Sequence, residues 1–194
     1  SLPGKTKARK KMGLNVDYFT ILAVGGSQGA KSLNDLVLGA WPEIDDGKIQ
    51  IIHQVGERNY KEMLEKLSDS IKDRYNIYST VDMPLATACA DLVVCRSGAS
   101  TLAEITAAGL PSLLVPYPHA YANHQKRNAE YIVNNHAGIL CEEGIVTTQI
   151  LADLIDILRN HPEKRKSFEE ASKSLAVVDA SKKVAEVVMG LGSA

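Results

Sequence analysis

The chain has 194 residues, 45% hydrophobic and 23% charged, a composition that supports a packed core and excludes disorder along most of its length. Lys and Arg total 22 against 23 Asp and Glu, so the formal net charge is −1 and no global field draws in a nucleic-acid partner. The three cysteines, Cys89, Cys95 and Cys141, have no CxxC spacing and give no basis for a disulfide framework or a cysteine zinc site, which suits a reducing, cytosolic compartment.

Residues 1–16 open with Leu2-Pro3-Gly4 and a basic run to Lys11, the composition expected of an interdomain linker remnant, with residues 17–194 as the domain proper. No apolar core follows this basic run, so no secretory signal is expected, and no apolar stretch approaches the ~20 residues that span a bilayer. Thr20–Val24 is a short apolar run ended by Gly25-Gly26 and reads as a buried parallel strand. Ala30–Trp41 reads as a helix with Leu33, Leu36 and Val37 on one face. Strand Ile49–Val55, helix Glu57–Leu67, strand Asn76–Val81 and a short helix from Pro84 follow. Strand Leu92–Cys95 leads to helix Thr101–Ala108, strand Ser112–Val115, helix His124–Asn134 and strand Gly138–Cys141. The remainder, 147–191, is helical, with one apolar face on Leu151, Leu154, Ile155 and Leu158 and another on Ala180, Val184, Val187, Val188 and Leu191. This β–α alternation predicts an α/β domain, a Rossmann-like parallel sheet of about six strands with helices on both faces.

Ligands of such sheets bind beyond the carboxyl ends of the strands, so three loops matter. After the first strand comes Gly25-Gly26-Ser27-Gln28-Gly29-Ala30, whose glycines admit close backbone approach at a helix start, as a phosphate requires. It fails the GxGxxG pattern at Ser27 and misses the Walker pattern at Ala30, before Lys31-Ser32. A tight turn without a ligand is the other reading of these residues. After the fourth strand comes Arg96-Ser97-Gly98-Ala99-Ser100-Thr101, whose hydroxyls are expected to cap the next helix, with Thr101 and Glu104 spaced as a capping box. An acidic Glu104 is unfavourable beside a phosphate, so a functional role for it points to a sugar hydroxyl. After the fifth strand comes Pro116-Tyr117-Pro118-His119 through His124-Gln125, where isolated histidines also read as ordinary surface residues. Neither HExxH nor a D-x-D triplet occurs, which removes a zinc-protease site and one common way of holding a metal–nucleotide complex, in keeping with the expectation of no metal and no cofactor.

These loops, together with Ala103-Glu104, Ala107-Ala108-Gly109-Leu110-Pro111, Val115-Pro116 and Asn128-Ala129, resemble in order and spacing the C-terminal half of the MurG family over roughly Thr20–Leu158. That resemblance implies the C-terminal half of a two-domain GT-B glycosyltransferase, the half that binds UDP-GlcNAc. The expected reaction is inverting transfer of N-acetylglucosamine to lipid I, giving lipid II in peptidoglycan synthesis. It implies Gly26, Ser27 and Gln28 beside the diphosphate, and Thr80, Val81 and Met83, within Ser79–Met83, beside the uracil. It further implies Arg96 and Ser97 near the nucleotide, Gly98, Ala99, Ser100 and Thr101 donating N–H groups to the diphosphate, Glu104 on the ribose, and His124 and Gln125 on the GlcNAc. The catalytic base is expected in a separate N-terminal domain that holds lipid I and makes most of the membrane contact, at the cytoplasmic face of a bacterial membrane. The 194-residue chain by itself is then soluble and binds donor without turnover. Where the family's linker carries Asn-Pro and an Arg, this chain has Leu2-Pro3-Gly4-Lys5, and Lys5 supplies charge without a bidentate fork. A stand-alone donor subunit of a split transferase and a P-loop-like nucleotide module are the alternatives at this stage.

Overall fold

A computed structural model describes residues 3–26 and 29–176. Helix α1 (Lys5–Lys11) precedes strand β1 (Phe19–Val24), after which strands and helices alternate. They are α2 (Lys31–Ile44), β2 (Ile49–Gln54), α3 (Glu57–Lys66), β3 (Tyr75–Tyr78), α4 (Met83–Cys89), β4 (Leu92–Cys95) and α5 (Ala99–Ala108). Then come β5 (Ser112–Leu114), α6 (His124–Asn134), β6 (Gly138–Leu140), α7 (Thr148–Asn160) and α8 (Pro162–Ser174). The segment expected to form the final helix, 180–191, lies outside the described residues.

The six strands form one sheet in the order β3-β2-β1-β4-β5-β6, and every pairing is parallel. The order reverses between β1 and β4, so the helices leaving these neighbouring strands diverge to opposite faces and open a crevice at their carboxyl ends. Strands β2, β4 and β5 are buried along their whole length, and β1 along all but Phe19, because both faces of the sheet are covered. On β1, Ile21 and Ala23 pack in the layer of α2 and α7, with Leu33, Val37, Trp41, Leu151 and Ile155. Leu22 and Val24 alternate to the other face, against Ala8, Ala86, Leu102, Ile105 and Ile132 from α1, α4, α5 and α6. Burial of Ile44 carries α2 three residues past the expected end at Trp41, with Pro42 in its last turn.

The stretch read as linker contains a helix docked on the domain. Arg9 is buried, donating through Nε to the Cys89 carbonyl at 3.0 Å, through Nη1 to Val16 O at 2.7 Å and through Nη2 to Asp91 at 2.6 Å. Asp91 also takes Lys5 at 2.6 Å and the Thr20 N–H at 2.8 Å. This cluster sits where β1 and β4 begin, at the end of the sheet away from the crevice. Lys5 is therefore spent on Asp91 and does not approach the crevice.

Candidate functional site

A cleft of about 950 Å³ lies over the crossover of β1 and β4. Val24, Gly25, Gly26, Gly29 and Ala30 line it from the first loop, Arg96, Gly98, Ser100, Thr101 and Glu104 from β4 and α5, and Tyr117 and Gln125 from the third. The three loops singled out in the sequence thus converge, which one-dimensional spacing alone does not require.

The first loop is tight for a stated reason. Gly29 has φ +75°, and a Cβ there would lie 2.3 Å from the Val55 carbonyl oxygen and 2.4 Å from Asn59 Nδ2. Only glycine fits both the left-handed backbone and this close approach. Beneath the loop runs a buried relay of hydrogen bonds. Asn34 Nδ2 donates to Val55 O at 3.0 Å, so Asn34 Oδ1 faces His53 Nε2 at 3.1 Å, and His53 Nδ1 meets the Tyr75 hydroxyl at 2.9 Å. Every partner is satisfied when neutral His53 carries its proton on Nε2 and accepts at Nδ1 from Tyr75. Burial without a charge partner pushes the His53 pKa down to about 3. Ser27 and Gln28 lie outside the described residues.

Two helices begin at the cleft, and among the described residues neither start carries a side-chain cap. The N-cap of α2 is Ala30, and that of α5 is Gly98. The expectation that hydroxyls cap α5, with Thr101 and Glu104 as a capping box, is overturned: the helix starts at Ala99, and both residues lie inside it. The helix begins early because extended Gly98 already offers its carbonyl to Leu102 N–H, at 3.0 Å. N–H groups without a side-chain cap among the described residues, and the positive ends of two helix dipoles, therefore face the same space, the arrangement that binds anions. Glu104, one turn on, is exposed and lines the same cleft.

Arg96 closes the floor. It is buried, donating through Nη1 to Val115 O at 3.0 Å and to Glu143, and through Nη2 to Ser32 Oγ at 2.8 Å; its guanidinium lies 5.5 Å from the Tyr117 ring centroid. Gln125 Oε1 accepts from Tyr117 N–H at 3.0 Å, and the residue lines the cleft.

Other sequence-selected residues sit beside the cleft. Ser97 is buried, donating its hydroxyl to the Gln125 carbonyl at 2.7 Å, while Asn128 Nδ2 donates to Ser97 O at 3.0 Å. These two bonds lash the start of α6 to the β4–α5 loop. His124 is exposed, its Nδ1 2.6 Å from the Tyr121 carbonyl, and it does not line the cleft. Ala99 is exposed and off the lining, as is Thr80, while Val81 packs into the core and Met83 reaches the cleft. Lys31, Ser32 and Tyr117, named in the sequence without a binding role, also line it, as do Asp35 and Gln54, which the sequence reading did not single out. Gln54 was findable as a polar residue ending an apolar strand. Glu143, 47 residues from Arg96, carries no local signal. Lys31, the Walker-like position, is spent on Glu62 of α3. Among the described residues, no group of three or more His, Cys, Asp or Glu side chains is placed to hold a metal ion, and no helix is long and apolar enough to cross a membrane.

A parallel sheet with its switch point under a cleft, ringed by glycine-rich loops and two helix starts, is an α/β domain of the GT-B glycosyltransferase kind. Residues 20–185 match the glycosyltransferase family 28 C-terminal domain, and the chain belongs to that family. It is 38% identical over 179 residues to the UDP-N-acetylglucosamine–N-acetylmuramyl-(pentapeptide) pyrophosphoryl-undecaprenol N-acetylglucosamine transferase of Shewanella denitrificans, covering 88% of this chain and 48% of that protein. The transferase of the same name from Anaeromyxobacter sp. is 41% identical over 174 residues, covering 88% of this chain and 45% of that one. The crystal structure of Acinetobacter baumannii MurG superposes with a TM-score of 0.79 at 27% identity, over 98% of this chain and 54% of that one. The chain spans about half the length of the curated relatives it matches.

Proposed function

We propose that this chain is the donor-binding half of an inverting N-acetylglucosamine transferase that uses UDP-GlcNAc and delivers the sugar to lipid I, forming lipid II. The observation that carries the reading is the meeting of two helix starts, α2 and α5, with Glu104 one turn beyond, in a cleft at the β1/β4 switch point. The family membership and the name shared by the relatives supply the sugar and the acceptor.

In this reading the diphosphate sits at the two helix starts, with Gly26, Ser27 and Gln28 on one side and Gly98–Thr101 on the other. Glu104 accepts hydrogen bonds from the ribose hydroxyls, Met83 packs beside the base, and the Gln125 amide donates to the GlcNAc hydroxyls. The acceptor hydroxyl attacks the anomeric carbon as the bond to the diphosphate oxygen breaks. Negative charge then grows on the leaving group, where fixed N–H dipoles already point and need no reorganisation. The base that takes the acceptor proton belongs to the other half of the enzyme, which also holds the lipid at the cytoplasmic face of the membrane.

Calorimetric titration with UDP-GlcNAc tests this. The expected result is weak, saturable binding of UDP and UDP-GlcNAc without turnover of lipid I by this chain alone. Absence of both heat and thermal shift at millimolar ligand overturns it, and so does full transferase activity in this chain alone.

A further inference from the structure

Two cations line the cleft among its described residues, Lys31 and Arg96, and a carboxylate already pairs with each. The pairs differ in surroundings. The Lys31 and Glu62 side chains are 58% and 46% exposed, so water screens them, whereas Arg96 and Glu143 are 8% and 25% exposed. Glu143 follows β6 and reaches past β5 to the end of β4. Burial raises its carboxyl pKa, but the hydrogen bonds from Arg96 and Ser32 and the charge of Arg96 outweigh this and hold it below the usual range, so it is ionised near neutral pH.

Arg96 does not depend on Glu143 for its position. Val115 O, Ser32 Oγ and the Tyr117 ring fix the guanidinium from three sides. What Glu143 adds is a negative charge against the floor of an anion site. Two of the five N–H donors of Arg96 have no partner among the described residues, so the guanidinium has donors to offer while its charge is cancelled.

We propose that Glu143 is a built-in counter-charge that lowers the affinity of the cleft for the pyrophosphate group and so favours release of the nucleoside diphosphate product. This rests on reading the cleft as a pyrophosphate site. A pyrophosphate that enters shares Arg96 with Glu143 instead of taking its full charge. Binding of a neutral nucleoside does not feel the difference.

The test is titration of the wild-type chain and the Glu143→Gln and Glu143→Ala variants with UDP and with uridine. Gln keeps an acceptor for Arg96 and removes only the charge. UDP is expected to bind the Gln variant about three- to tenfold tighter, the effect of one partly screened unit charge, with a steeper salt dependence and uridine binding unchanged. Unchanged or weaker UDP binding by a folded Gln variant overturns the proposal, as does a parallel change for uridine. If Gln does not fold, the Ala variant must show the same selective gain. Failure of both to fold makes the ion pair purely structural and also overturns it. If wild type binds UDP and the variants match it, only this proposal falls; if wild type binds no UDP, the donor-site reading falls with it.

Discussion

His53 offers a sharp test of the buried relay beneath the glycine loop. It is fully buried and held neutral between Tyr75 and Asn34, with its pKa pushed down to about 3. In the unfolded chain the same side chain has the ordinary histidine value, near 6.5. Between these values the unfolded state binds more protons than the folded state, so stability falls as pH falls. The contribution is fully present above pH ~6.5 and drains away as pH drops toward about 3. Lowering the pH from about 7.5 to about 5 should cost about 2 kcal/mol from this residue alone, a figure insensitive to the folded value so long as it stays well below pH 5. With a urea dependence of about 2 kcal/mol per molar, the unfolding midpoint should shift by about 1 M. The His53→Gln variant is the reference: it starts less stable but lacks this titration, while every other group titrates in both. Urea unfolding at the two pH values should show the extra loss only in the wild type. Equal losses in wild type and variant would refute the neutral, desolvated state assigned to His53.

Two further outcomes follow from the geometry. Glu104→Ala should weaken UDP binding about tenfold or more, the loss of a charge-assisted hydrogen bond, and the penalty should shrink for a ligand lacking the ribose 2′-hydroxyl. Because Glu104 is exposed on α5, unfolding should move by less than about 0.5 kcal/mol, and an unaltered UDP affinity would remove it from the site. Arg9→Ala strips three hydrogen bonds and leaves Asp91 with Lys5, which should cost about 2–4 kcal/mol and lower Tm by roughly 5–15 °C in thermal unfolding. Lys5→Ala, at a half-exposed ammonium, should cost under about 1 kcal/mol, and equal effects of the two substitutions would contradict the clamp.

Much of this was legible in one dimension. The runs Leu92–Cys95 and Ser112–Val115 and the i, i+3, i+4 faces of α2 and α7 are local patterns, and the strands and helices appear there, with β5 ending one residue short at Leu114. Helix ends were read less well: Thr101 has the side chain of a cap, but the chain is already helical two residues earlier. Helix α1 escaped because its basic sequence looks solvated, and it takes the distant Asp91 and Cys89 carbonyl, with the Val16 carbonyl, to make burial of Arg9 tolerable. Ser97 looked like a ligand group, yet its hydroxyl is used to fasten α6.

By itself the sequence determined the class of fold and the three loops at the strand ends, because both rest on neighbours a few residues apart. The near-neutral net charge carries the expectation that any anion bound here meets backbone N–H groups more than a basic surface. Only the tertiary structure decided the strand order that brings β1 beside β4, the convergence of α2 and α5 on one cleft, and the pairing of Arg96 with Glu143. These depend on contacts between residues tens of positions apart, whose pairing is set by how whole layers bury their apolar faces and leaves no periodic trace in the chain.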